Sequence, residues 1–411
     1  MTSPSETPNT APLMPTSRVE RRRDCPPTTR GPLAVVTSMT GTAAAAALVA
    51  AVVNIVMARG LGPDARGNVA FLLQVAYFAA PLAILAADRV LLRRRDLADF
   101  PSVVPPRVWT LATAATLSVI LGVALSSAHV IVGLIVVTVA WFNVRRAQAI
   151  TAGTLGSYAR PFMCWQLLIL LGSCALWAMG ITSWPLWALV YGLPALLVVV
   201  RPLALPTSTV SRVGLRNSAA LTLGALTQSF SLRGERVLLP LMTSPAELGL
   251  YAVVATATEP LYWAGQALAD HRTSVAKARP NARGVTRLVM KDLALFVPVA
   301  AAVGVALHLL IVLIFGNAFT NAVHLVLPLA IASVALVLYR QCAGLLLAHA
   351  PHRVGWSEGM TAVVALGLYT FAIHGWGAMG AAWASAATYS TGFVIATVAL
   401  VTAPVSQGSR S

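Results

Sequence analysis

The chain has 411 residues, 57% of them hydrophobic and only 10% charged, and its mean hydropathy is +0.77. A soluble domain carries about 25% charged residues, so a soluble globular protein is excluded. The formal charge of +16 suggests nucleic acid in a polar chain, but here the bases sit in short loops between apolar runs, which is a topology signal instead.

Residues 1–33, rich in Pro, Ser, Thr and Arg and without apolar periodicity, read as a disordered basic cytoplasmic tail. They are not a signal peptide, because the apolar run that follows is long and continuous with the rest. Apolar runs of about 20 residues, the length that crosses a bilayer, then recur throughout. They predict an all-α polytopic membrane protein with about twelve transmembrane helices. The spans lie near 36–58, 68–88, 108–127, 129–146, 162–182, 185–203, 217–242, 247–269, 292–315, 321–346, 356–374 and 378–402. The expected organisation is a six-helix lobe over 34–204, a cytoplasmic linker over 205–216, a second six-helix lobe over 217–403 and a cytoplasmic tail over 404–411, with a central cavity between the lobes.

Twenty-five of the 29 Lys and Arg residues fall in the tails and in alternate loops. The positive-inside rule then makes both termini cytoplasmic. The opposite-side loops hold only Arg59 and Arg66, and span seven holds Arg233 and Arg236. At an offset of 182 residues, Pro63 matches Pro245, Gly67 matches Gly249, Ala70 matches Ala252 and Asp88 matches Asp270. Two lobes in the same orientation around a central site give such a pattern.

The first two spans hold the uncharged polar residues Asn54 and Gln74. Span seven is the unusual one, because Arg233, Glu235 and Arg236 interrupt an apolar helix, and charges at membrane depth face a bundle interior or a wet cavity. Spacings of four and three put Ser229, Arg233 and Arg236 on one helical face. Gln228 and Glu235, seven apart, share the neighbouring face. The functional reading is a cavity wall whose arginines attract an anion; the bland reading is an interfacial end, since Arg233 lies roughly 24 Å along the helix from Asn217. Glu259 in span eight falls near mid-membrane with Pro260 directly after it. A buried carboxylate needs a partner or a proton, and an ion pair with Arg233 or Arg236 is the favoured reading beside a protonatable coupling group. Arg340 reads as a snorkelling residue or a substrate contact. Asn54, Gln74 and Gln266 serve helix–helix hydrogen bonding or line the cavity. Pro81, Pro194, Pro240, Pro260, Pro298 and Pro328 interrupt spans, and small residues opening span twelve, from Gly377 to Ser385, mark a close-packing face.

Cys25, Cys164, Cys174 and Cys342 form no CxxC or Cys/His cluster, so neither a metal site nor a disulfide framework is expected. There is no Walker phosphate loop, no HExxH and no GxSxG, so no enzymatic site and no cofactor are expected.

Three stretches resemble the polysaccharide flippase family (the O-antigen and teichoic-acid type) of the multidrug/oligosaccharidyl-lipid/polysaccharide exporter superfamily. They are Arg59-Gly-Leu-Gly-Pro-Asp-Ala-Arg-Gly67, then Glu235-Arg-Val-Leu-Leu-Pro-Leu with Leu248-Gly-Leu-Tyr-Ala252, and Gly375-Trp-Gly-Ala-Met-Gly-Ala-Ala382. The resemblance implies alternating access and export of an undecaprenyl-pyrophosphate-linked oligosaccharide from the inner membrane. It implies that Arg233 and Arg236 meet the anionic substrate, and that membrane lipids and a polysaccharide polymerase or glycosyltransferases are partners. At about twelve spans the chain is shorter than the related lipid II flippases, which have fourteen. Its first span lacks the acidic residue of the proton-coupled drug exporters, which lowers a cation-coupled drug or metabolite exporter as the rival reading. A non-transporting scaffold of a glycan assembly complex is a further alternative. A polymerase or ligase would need a sizeable outer loop, which is missing.

Overall fold

The computed structural model describes residues 32–88, 107–151, 155–200, 212–275 and 280–403. The expected N-terminal tail up to residue 31, the linker up to residue 211 and the C-terminal tail lie outside the described residues. Ten α-helices and two 3-10 helices, with no strand, are present among the described residues. They are α1 (Pro32–Ala83), α2 (Arg107–Ala124), a 3-10 turn (Ser127–Ile131), α3 (Val132–Thr151), α4 (Leu155–Ala178), α5 (Trp184–Val200), α6 (Arg212–Met242), α7 (Pro245–Val275), α8 (Ala282–Phe315), a 3-10 turn (Asn317–Leu325), α9 (Val326–His349) and α10 (Pro351–Val401). Helix is the form an apolar chain takes in hydrocarbon, where every backbone N–H and C=O must be satisfied within its own segment. Pro32, Pro245 and Pro351 each open a helix, at the position where a missing N–H costs nothing. Pro328, expected inside a span, is the third residue of α9 and equally harmless there.

Two helices are broken by a glycine. Gly62 in α1 has φ 71°, and Gly377 in α10 has φ 54°, a backbone region that only glycine enters freely. The chain folds back on itself at both. Asn54 and Arg66 are 2.6 Å apart by their side chains, although residues twelve apart on a straight helix are separated by about 18 Å. A Cβ on Gly380 would likewise lie 1.9 Å from the carbonyl oxygen of Ala372, so the small-residue stretch does form a close backbone packing. The loop expected over 59–67 is therefore a one-residue break. The helix expected to open at 217 begins at Arg212, and the span expected to end at Arg146 runs on to Thr151.

The result is an all-helical, polytopic membrane architecture. Six helical stretches among the described residues are long and apolar enough to cross a membrane: Leu48–Ala83, Ser127–Ala149, Tyr158–Ala178, Ala282–Phe315, Asn317–His349 and Arg353–Val401. Neither α6 nor α7 is among them, because their polar side chains dilute the apolar run. Leu295, Val305, Leu309 and Leu313 on α8 are exposed, as a lipid-facing helix requires.

Inside, the apolar side chains gather into two main cores. One is built by α1 to α5 around Met57, Leu72, Ile135 and Trp187. The other is built by α6 to α10 around Leu248, Tyr251, Ile311 and Tyr369, and takes in Ala58, Ala70 and Phe71 from α1. Helix α1 is thus the seam between the halves, and α7 is its counterpart. A Cβ on Gly67 would lie 1.7 Å from the carbonyl oxygen of Pro245, and one on Gly249 would lie 1.9 Å from that of Pro63. The two contacts are reciprocal and join the residues that match at the 182-residue offset, as an approximate two-fold axis through this junction demands.

Candidate functional site

Helix α6 sends its polar residues in two directions, and the faces read from helical spacing separate accordingly. Arg233 and Arg236 look into a cleft walled by α6, α7, α9 and α10. The cleft has a cavity volume of about 50 Å³, with Arg233, Arg236, Thr258, Glu259, Tyr262 and Tyr389 among its lining. Gln228 and Glu235 turn into the packing of the second half.

Glu259 has found its partner in Arg236, whose Nη1 donates to Oε1 at 2.9 Å. The Arg236 Nε lies 3.4 Å from Oε1 of Glu235, so one guanidinium serves two carboxylates. The two differ in wetness: the Glu235 side chain is 0% exposed and that of Glu259 27%. Glu235 is held by the hydroxyl of Tyr251, which donates to its Oε1 at 3.1 Å and touches the Ser385 hydroxyl at 3.1 Å. Its Oε2 has no hydrogen-bond partner. An ion pair kept this far from water is geometrically demanding and costly to break on one side, about 3–5 kcal/mol.

Arg233 is different. Its Nη1 donates to Oε1 of Gln74 at 3.4 Å, and its guanidinium lies 4.7 Å from the centre of the Tyr77 ring. Both partners belong to α1, so this arginine reaches across from the second half to the first. Its ligands are an amide and an aromatic face, worth about 0.5–2 kcal/mol for the cation–π part. Among the described residues no carboxylate lies within 4 Å of it.

The other expected site residues go elsewhere. Asn54 accepts from Arg66, within α1. Gln228 donates to Oε1 of Glu358 at 3.0 Å, and Glu358 accepts from the Tyr339 hydroxyl at 2.6 Å. Arg340 donates from Nε to Gln266 of α7 at 2.7 Å, a contact between helices where snorkelling was the default.

Sequence reading passed over Tyr77, Tyr389, Ser385, Glu358 and Arg66 as site neighbours. Tyr251 was visible in the Gly-x-Tyr stretch, but its role depends on Ser385, 134 residues away. Arg66, expected in a loop, is buried because that loop is a single residue. Arg59 likewise donates to the carbonyls of Leu313 and Ile314 at the end of α8. A second ion pair not foreseen, Arg272 with Asp292, is bidentate at 2.6 and 2.7 Å and ties α7 to α8. No group of three His, Cys, Asp or Glu side chains able to hold a metal occurs among the described residues.

No protein-family model matches the chain, and no curated protein sequence does either. Solved structures match over nearly the whole length. One is an inward-facing multidrug resistance MATE family transporter of the MOP superfamily, with a TM-score of 0.57 and 13% identity over 86% of this chain and 93% of that one. Another is the lipid II flippase MurJ in an inward closed conformation, with a TM-score of 0.61 and 10% identity over 90% of this chain and 88% of that one. At such identities the likeness concerns the path of the chain and not its substrate: this protein has the two-lobed helical fold of MOP-superfamily transporters.

Proposed function

We propose that the protein is a flippase that moves an anionic, lipid-linked oligosaccharide across the membrane by exposing its cleft to the two sides in turn. The observation that carries this reading is Arg233, a cation at the seam between the halves with no carboxylate beside it. A sugar–pyrophosphate headgroup cannot enter hydrocarbon without a large loss of hydration, and Arg233 offers charge-assisted hydrogen bonds in exchange. The lipid tail stays in the bilayer. Glu235 and Glu259 both bond Arg236, which leaves the donors of Arg233 without a carboxylate in contact although the four charges sum to zero.

In this reading the helices make twelve crossings in two lobes of six, 34–204 and 217–403, and both termini are cytoplasmic in the inner membrane. The distribution of Lys and Arg supports that orientation. The Gly62 end of the molecule is then outward, and the cleft serves a cell-surface polysaccharide pathway that includes glycosyltransferases or a polymerase. The test is Arg233→Ala with Arg236→Ala in a strain that depends on the protein, with surface polysaccharide as the readout. Loss of at least tenfold is expected, and undiminished polysaccharide removes the assignment.

A cation-coupled exporter is the second reading, favoured by the similar MATE fold and by Glu235, whose Oε2 lacks a partner. Transport of a hydrophobic cation by membrane vesicles, abolished in Glu235→Gln and accompanied by normal surface glycan, would establish it in place of the first.

A further inference from the structure

Among the described residues, Arg66 is a buried cation without an ion-pair partner. It is 5% exposed. Its Nε and Nη2 both donate to the amide oxygen of Asn54, at 3.2 and 2.6 Å. Its Nη1 is buried and has no hydrogen-bond partner, and no described carboxylate lies within ion-pair distance. A buried cation with neutral ligands is expensive.

Its position in the chain adds a second observation. Gly67, the next residue, is in backbone contact with Pro245. When the halves part at that junction, the second half withdraws from beside Arg66. Asn54 meanwhile holds the Nε–Nη2 edge of the guanidinium and leaves the buried Nη1 as the donor for an incoming oxygen.

We infer that Arg66 is a second anion-binding residue, an outer station that takes the phosphate-class headgroup of the substrate from Arg233 as the Gly62 end opens. Asn54 acts through it as a positioning residue. The inference rests on the flippase reading and adds that the path contains two cationic stations, one on each half.

The test measures binding of inorganic pyrophosphate to the full-length protein in nanodiscs, for wild type, Arg66→Gln and Arg233→Gln. Each substitution is expected to weaken binding about tenfold, the scale of one lost charge-assisted hydrogen bond. Without pyrophosphate, Arg66→Gln is expected to melt at or above the wild-type temperature, because it removes an unpaired buried charge; an arginine with a merely structural role would give a lower melting point. Binding by Arg66→Gln within twofold of wild type, beside a weakened Arg233→Gln, overturns the station and leaves the flippase reading intact. Unweakened binding by Arg233→Gln, or none by wild type, brings down the flippase reading itself. Should Arg66→Gln fail to fold, Arg66→Lys decides: it keeps the charge without the fork, and several-fold weaker binding is expected where unchanged binding would refute. A parallel arm with undecaprenyl pyrophosphate in the nanodisc separates a lipid headgroup from a free anion. Weakening by Arg66→Gln in both arms supports the station, and weakening in the inorganic arm alone refutes it.

Discussion

The junction at the Gly62 end and the cleft beyond it are built from opposite chemistry. At the junction, glycines let two backbones touch, Gly67 against Pro245 and Gly249 against Pro63. The cleft is lined by Arg233, Arg236 and Glu259, with Arg236 hydrogen-bonded to Glu259. The contrast has a mechanical meaning. A contact of small, neutral surfaces can part and re-form without stripping water from ions, whereas an ionic seal would have to desolvate charges at every cycle.

The largest expected change in conformation comes from giving the junction a side chain. A Cβ at Gly67 would stand 1.7 Å from a backbone oxygen, and no rotamer change relieves a clash with backbone. In Gly67→Ala the halves must separate there. Labelling of a cysteine placed at Ser333, on the cleft wall, by an impermeant thiol reagent applied from the outer side is expected to rise about tenfold, a shift of about 1.4 kcal/mol in the balance of states. Gly249→Ala should do the same, and the double variant should add little, because both glycines serve one contact. Unchanged labelling in both single variants would mean that this junction does not seal the cleft.

The next effect breaks the charged side. Arg236→Gln leaves Glu235, fully buried, without its cation. A loss of about 3–5 kcal/mol is expected, seen as a lowered melting temperature of the purified protein. Adding Glu235→Gln should recover most of it. Glu259→Gln should cost less, because Glu259 is partly exposed and water can take over its role. A ranking with Glu259→Gln as the more damaging change would reverse the roles assigned to the two carboxylates.

These two regions were not equally legible in the sequence. Membrane spans are local in the chain and so are glycine and proline signals; the spans near 162–182 and 292–315 could be read directly, and the repeat from Pro63 to Gly67 and Pro245 to Gly249 was there to be aligned. Spacing alone also put Arg233 and Arg236 on one face of α6. It could not say that the first reaches Gln74 while the second takes Glu259, since those choices depend on helix packing across long sequence separations. Gln228 was one turn from the cleft face and went to Glu358. Arg66 was hidden by a reasonable rule, that a basic residue between two apolar runs lies in a loop. The rule failed because a single glycine with φ 71° replaced the loop and pulled the arginine inside.

The smallest effects concern the Tyr251 hydroxyl, where counting protons decides what is expected. Tyr251 and Ser385 own one hydroxyl proton each, yet three contacts are drawn between them and their neighbours: Tyr251 to Glu235 at 3.1 Å, Tyr251 to Ser385 at 3.1 Å, and Ser385 to the Ala381 carbonyl at 2.9 Å. The Tyr251 hydroxyl donates to Glu235 and the Ser385 hydroxyl to the Ala381 carbonyl, so no proton is left for the contact between the two hydroxyls, which is packing alone. Tyr251→Phe then removes a hydrogen bond to a charged acceptor and should cost about 1–3 kcal/mol. Ser385→Ala removes only a bond to a carbonyl already satisfied within its helix and should stay within about 0.5 kcal/mol. If Ser385→Ala proves as damaging as Tyr251→Phe, the protons must run the other way, from a protonated Glu235 to Tyr251 to Ser385 to Ala381. That outcome would make the buried acid a proton carrier and move the balance of readings toward a coupled exporter.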